Sequence, residues 1–288
     1  MQESKNQKFN HLKIHTQYSI CEGAVKIDDL KDFCKENKIN SVGLSDTSNL
    51  CGSLEFSENI SKAGSQPIIG TQINFSYENT TGLLPLIAIN KSGYKRILEM
   101  SSQSYLRNKS TSEPNLNISE LLNNSEGIIV FSGSINGLFG KLFNKGKLED
   151  INKLYKNLSS KFGDKFYLEI QRHGDNNEVD FEKNNLKESA DLKIPIIATN
   201  EVFYINKNMH EAHDALMCIG KKSYINDKNR FKYTNQHYFK SSDEMSNLFF
   251  DLPEALQNNY NLPFRCNFRP ETSDPVLPNI SSEKGGDA

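Results

Sequence analysis

Neither charge sign dominates this chain. Its 34 lysines and arginines stand against 36 aspartates and glutamates, for a formal net charge of −2. A free-standing nucleic-acid binder usually carries a basic excess or a clustered basic face, so that class is disfavoured; a neutral module inside a larger DNA-handling protein is not. Cysteine is sparse and scattered (Cys21, Cys34, Cys51, Cys218, Cys266), with no C-x-x-C pair, which argues against a disulfide scaffold and a thiolate zinc site. No apolar run approaches bilayer length, and residues 1–10 lack the apolar segment of a signal peptide. A cytoplasmic chain with no membrane partner is expected. There is no Asp-x-Asp pair, so the close carboxylates of two-metal nucleotidyl transfer are missing. No internal repeat is found. Only six histidines are present, too few to fill a two- or three-metal centre densely.

What is there is an alternation. Short apolar runs occur at 12–15, 42–44, 68–69, 83–89, 127–131, 166–170 and 194–198, most of them separated by helical patterns. Ile27, Leu30, Phe33 and Cys34 share one helical face, as do Tyr94, Ile97 and Leu98. The longest stripe runs Leu148, Ile151, Leu154, Tyr155, Leu158, Phe162. Strand alternating with helix implies an α/β fold with a parallel sheet, and seven runs suit a closed barrel. Segments 209–220 and 242–259 read as additional helices. Residues 108–117 form a polar loop, and 269–288, rich in Pro, Ser and Gly, reads as a linker.

The stretch 41–52, S-V-G-L-S-D-T-S-N-L-C-G, shows the motif at its clearest: a buried-strand run, a polar turn, then a helix carrying Phe56, Ile60 and Ala63. In a parallel barrel the polar residues at the strand ends face one mouth. Here those are His15 and Glu22, Asp46 and Thr47, Gln72, Ser134, His173 and Glu201. His, Glu and Asp are common ligands for Zn and Mn, so a metal-assisted hydrolase is one reading. Asp46 and Asn49 equally suit turn and helix-cap hydrogen bonds. Lys91, Lys95 and Arg96 read as a solvated helix face, and His213, on the face of Met209 and Leu216, as packing.

F-N-H-L-K-I-H-T-Q-Y-S (9–19), the 41–52 stretch and Q-P-I-I-G-T-Q (66–72) resemble the polymerase-and-histidinol-phosphatase (PHP) domain family, above all the version that opens the α subunit of bacterial DNA polymerase III. N-K-S-G-Y-K-R (90–96), F-Y-L-E-I-Q-R-H-G (166–174), P-I-I-A-T-N-E-V-F-Y (195–204) and D-L-P-E-A-L (251–256) follow in the same order. The resemblance covers roughly 9–278. It implies a seven-stranded (β/α) PHP barrel over 9–268 with extra C-terminal helices, a disordered 1–8 and a linker at 269–288 leading toward an absent polymerase region.

In metal-binding members nine ligands ring the mouth. Carried over by motif, the opening H-x-H falls on Lys13 and His15, and the acidic loop ligand on Glu22. The T-D-H motif falls on Ser45, Asp46 and Thr47, the third-strand Glu on Gln72 and the next His on Leu83. The fifth-strand ligand falls on Ser134, and the closing D-x-H on Glu201 and Phe203. Only His15, Glu22 and Glu201 survive, so the resemblance implies a vestigial site with Lys13 among Glu22, Glu201 and Asp46 in place of ions. No catalytic residue and no cofactor are expected in this segment; Mg would belong to a parent polymerase domain. The implied partners are the proofreading exonuclease subunit and other replicase subunits, with DNA reached through the parent. The competing reading is a metal-dependent phosphoesterase or 3′–5′ exonuclease, with Zn or Mn on His15, Glu22, His173 and Glu201.

Overall fold

The computed structural model describes residues 8–107 and 113–274. In chain order, β1 (His11–Ile14) leads to α1 (Ile27–Glu36), β2 (Ser41–Leu44), β3 (Asp46–Thr47), α2 (Ser53–Lys62), β4 (Gln66–Ile68) and β5 (Gly70–Tyr77). Next come β6 (Thr80–Ala88), α3 (Lys91–Leu106), β7 (Leu116–Asn117), α4 (Ile118–Asn123), β8 (Ile128–Phe131) and α5 (Leu138–Asn144). The chain continues through α6 (Leu148–Phe162), β9 (Phe166–Ile170), α7 (Glu178–Leu192), β10 (Ile196–Ala198), β11 (Glu201–Val202), α8 (His210–Lys221), α9 (Ser242–Leu248) and α10 (Pro253–Asn261).

Hydrogen bonding orders the strands as β11-β1-β2-β4 in one sheet and β10-β9-β8-β6-β5-β3 in the other. Very short links join the sheets: Ser45 between β2 and β3, Ile69 between β4 and β5, Thr199 and Asn200 between β10 and β11. With each linked pair taken as one bent strand, seven strands trace a ring whose ladder is interrupted at the bends. Each of the seven expected apolar runs falls on one of these strands to within one or two residues at its ends.

One expectation is corrected. The sheet is not wholly parallel, because β6 runs against both β5 and β8. Only two residues separate Tyr77 from Thr80, and so short a connection can return the chain only antiparallel. The apolar run gives no warning, since buried strands of either direction look alike.

The long stripe behaves as its period requires: Ile151, Leu154, Tyr155, Leu158 and Phe162 are buried, while Leu148, at the first turn of α6, is half exposed. The segment 242–259 is two helices, because Pro253 cannot continue α9 and instead occupies the first turn of α10. The polar loop ends earlier than expected: Leu116 and Asn117 form β7, and Asn117 closes a capping box with Glu120 at the start of α4. Residues 1–7, 108–112 and 275–288, on which the disordered terminus and most of the linker were placed, lie outside the described residues. Within the described part of 269–288, Pro270 is buried and its carbonyl accepts a hydrogen bond from Ser57 at 2.7 Å.

Arg172, just past β9, clamps the C-terminal helices. Its guanidinium donates to Glu182 on α7 (2.6 and 3.0 Å), to both oxygens of Asp251 (2.7 and 2.8 Å) and to the Leu248 carbonyl at 2.6 Å. It also lies 4.9 Å from the Phe249 ring centroid. Arg172→Ala is expected to cost about 1–2 kcal/mol in urea denaturation, since the half-exposed Asp251 is screened by solvent while the packed stem is lost outright.

Candidate functional site

Alternation along the strands decides what points inward. On β1 that parity brings Lys13 and His15 together; on the β9 strand it brings Glu169 and Gln171; at the β10–β11 bend it brings Thr199 and Glu201. The pairing of Lys13 with Glu201 places the first and last strands of the ring side by side. All six side chains belong to buried residues.

Lys13 Nζ lies 3.2 Å from Glu169 Oε1 and 3.4 Å from Glu201 Oε1, with the whole lysine inaccessible to solvent. These are charge contacts rather than aligned hydrogen bonds: among the described residues neither Nζ nor Glu169 Oε2 has a hydrogen-bond partner. Directed hydrogen bonds complete the cluster. Gln171 donates to Glu169 Oε1 at 2.8 Å, and Thr199 donates to the same oxygen. Gln72 donates to Glu201 Oε1 at 2.6 Å, and His15 Nε2 lies 3.0 Å from that oxygen. The His15 ring is stacked on Phe203, with centroids 4.4 Å apart.

Burial raises a carboxyl pKa, but the Lys13 ammonium and then His15 outweigh it and hold Glu201 well below the usual carboxylate range. Burial pulls an ammonium pKa down, but Glu169 and Glu201 outweigh it and raise that of Lys13. The carboxylates and the ammonium thus sustain one another's charge out of water. An isolated charge there would be costly.

A second group lies beside this one. Asp46 accepts hydrogen bonds from the Thr16 amide (2.7 Å), the Thr16 hydroxyl (2.8 Å) and the Ser19 hydroxyl (2.8 Å). Burial raises its pKa against the pull of Ser19 and Thr16. Thr47 donates to Glu22, whose backbone carbonyl is 2.8 Å from His213 Nε2. Ser19 Oγ, 3.3 Å from His15 Nδ1, links the two groups. The expected neighbours of Lys13 therefore need correction. Its partners are Glu201 and Glu169; Glu22 and Asp46 are engaged with Thr47 and with Thr16 and Ser19. The loop that carries Glu22 is held by these bonds and by the Ala24 amide, which donates to the Phe203 carbonyl at 2.7 Å.

Leu83, half-buried, lines an open cleft of about 600 Å³ together with Glu22, Thr47, Lys141 and Tyr233. Ser134 lines a small cavity with Glu169 and Gln171, its hydroxyl accepting from the Asn136 amide at 3.3 Å. His173 lies on the far side of Glu201, its Nδ1 3.2 Å from Glu178 Oε1. Asn49 makes the expected turn bonds, to the Cys51 amide and the Tyr18 and Thr47 carbonyls. His213 is buried against Phe203 and Tyr204, and Arg96 pairs with Glu126 at 2.8 Å. Sequence reasoning missed Glu169, Gln171 and Thr199. The available signal was a carboxylate inside an apolar strand, F-Y-L-E-I, with a threonine closing the next one.

The ring of strands with polar groups gathered at one mouth is matched by the family model described as "PHP domain" over residues 11–173, and the chain belongs to that family. Among individual proteins it is similar to the DNA polymerase III subunit alpha of Caulobacter vibrioides (35% identity over 99% of this chain and 26% of the relative). The subunit alpha of Rickettsia bellii matches at 36% over 96% of this chain and 24% of that protein. That of Borreliella burgdorferi matches at 34% over 94% and 25%. The chain thus spans about a quarter of the length of these relatives. Among the described residues no helix is long and apolar enough to cross a membrane.

Proposed function

We propose that this chain is the PHP module of a DNA polymerase III α subunit, acting in DNA replication as a scaffold and as a docking surface for the proofreading exonuclease subunit. In this reading its ancestral metal centre is replaced by a salt bridge, and the module itself performs no chemistry. The observation that carries the reading is the Lys13 ammonium, 3.2 and 3.4 Å from two buried carboxylates. An ammonium offers three donors and no lone pair, so it repels an ion where a histidine would bind one. Gln72 is a neutral donor to Glu201 where the family has a carboxylate, and Phe203 supplies a packed ring where the family has an imidazole. Polymerisation, DNA contact and the other replicase subunits would belong to the parent protein. The alignment of nearly this whole chain to several α subunits supports that assignment.

Two assays test it. With Mn or Zn added, hydrolysis of an aryl phosphate and of a 3′-labelled single strand is expected to stay at the background of a His15→Ala variant. A metal-dependent rate abolished by that substitution would instead establish the phosphoesterase reading. Comigration of the chain with the exonuclease subunit in size-exclusion chromatography tests docking; separate elution at micromolar concentrations removes that half of the proposal.

A further inference from the structure

Glu201 has a second role through its backbone. Its carbonyl oxygen lies 3.2 Å from His237 Nδ1, and its amide donates to His173 Nε2 at 3.2 Å. The two imidazoles are stacked almost parallel, centroids 4.0 Å apart and planes at 5°, and each residue is only 1% exposed. The hydrogen bonds define the tautomers. His173 Nδ1–H points at Glu178 Oε1 (3.2 Å), and His237 Nδ1–H points at the Glu201 carbonyl. Both Nε2 atoms are therefore lone-pair acceptors. Nδ1 held by a carboxylate or a carbonyl, with Nε2 left free, is the arrangement that orients metal-ligating histidines.

An independent observation concerns His237 Nε2. Among the described residues this buried atom has no hydrogen-bond partner, and it faces the Asp175 carboxylate at 3.6 Å. One ligand atom each from His173, Asp175 and His237 lies within 4.8 Å of the others. The geometry points to a divalent transition-metal site of the zinc class, held by His173 Nε2, His237 Nε2 and the Asp175 carboxylate, with a fourth position open. Two atoms bound to one zinc ion stand at most about 4 Å apart. Coordination accordingly draws the three side chains inward, splays the stacked rings and displaces the Glu201 amide from His173. Imidazole and carboxylate suit Zn, Co and Mn; an all-oxygen cage for Ca or Mg is not built here.

The site adjoins the Lys13 cluster through the Glu201 backbone but shares no ligand atom with it, and its placement suits a structural role. Its ligands come from the loop after β9 (His173, Asp175) and from the segment before α9 (His237). An ion there would fasten the loop after β9 to the segment that leads into the C-terminal helices.

The test is titration of the full chain, stripped with a chelator, with zinc chloride by calorimetry and with cobalt chloride by visible absorption. One equivalent of zinc is expected, with a tetrahedral cobalt spectrum and a raised melting temperature. Asp175→Asn and His237→Gln should each weaken zinc at least tenfold while far-ultraviolet circular dichroism is unchanged; the first is a near-isosteric change at a partly exposed loop position and tolerates the change even if the second, fully buried, does not fold. Absence of stoichiometric binding, or binding that Asp175→Asn leaves intact, overturns the proposal. Zinc that is lost with His15→Ala but kept with Asp175→Asn overturns it too, and would also sink the salt-bridge reading of the barrel mouth.

Discussion

Lys13→Met is expected to destabilise the protein by about 3–5 kcal/mol at pH 7, read from the midpoint of urea denaturation. The substitution keeps the volume of the stem but leaves Glu169 and Glu201 buried without their cation, and breaking a buried pair from one side costs about that much. Against a typical stability of about 5–15 kcal/mol, such a loss is a large share. Adding Glu169→Gln and Glu201→Gln should return much of it, because neutral amides carry a far smaller burial penalty. The pH dependence has a definite sign. Glu201 titrates lower in the folded chain than its unfolded value of about 4.3, so its contribution is present above that pH and is lost as pH falls through the lower folded value. Lys13 titrates higher folded than unfolded, so its contribution is present below about 10.4 and is lost as pH rises through the higher folded value. Between those limits the pair should contribute a flat plateau. In Lys13→Met the acid limb should reverse, the variant approaching wild type as the orphaned carboxylates take up protons. A variant as stable as wild type at pH 7 would show that the buried ammonium does not hold this mouth together.

Gly93→Ala should cost about 3 kcal/mol or more, although alanine is ordinarily the better helix former. A Cβ at Gly93, in the first turn of α3, would stand 1.8 Å from the Gly127 carbonyl oxygen and 2.5 Å from its carbon. These are backbone atoms, and they cannot rotate aside. The Gly127 oxygen is itself held by the Ile89 amide at 2.9 Å, while Asn90 caps the Gly93 amide at 2.9 Å. Relief therefore requires α3 to move off the strand it covers. Gly146→Ala is the control. Its added Cβ meets nothing within 4 Å but sits at φ +69°, so about 1 kcal/mol of backbone strain is expected. Equal melting-temperature shifts in the two variants would show that close approach is not what Gly93 provides.

Much of this architecture was legible from periodicity. A run such as 42–44 marks a strand because only a buried strand tolerates so short an apolar stretch between polar turns. The α6 stripe marks a helix because its spacing repeats every three to four residues. The direction of β6 was not legible, since an apolar run carries no sign of which way its neighbours point. Lys13, His15, Gln72, Glu201 and Phe203 were traceable through motifs and do converge. Glu22 and Asp46 were traceable too, but their hydrogen-bonding neighbours draw them into a separate group.

Taken alone, the sequence determined the order of strands and helices, the family, and the exchange of histidine for lysine at position 13, because each of these is written in local spacing or residue identity. Only the tertiary structure decided that Glu169 is the lysine's nearer partner and that His173, Asp175 and His237 meet. Those residues stand up to 156 positions from their partners along the chain; the ring of strands brings Glu169 to Lys13, and docking of the segment before α9 on the ring brings in His237.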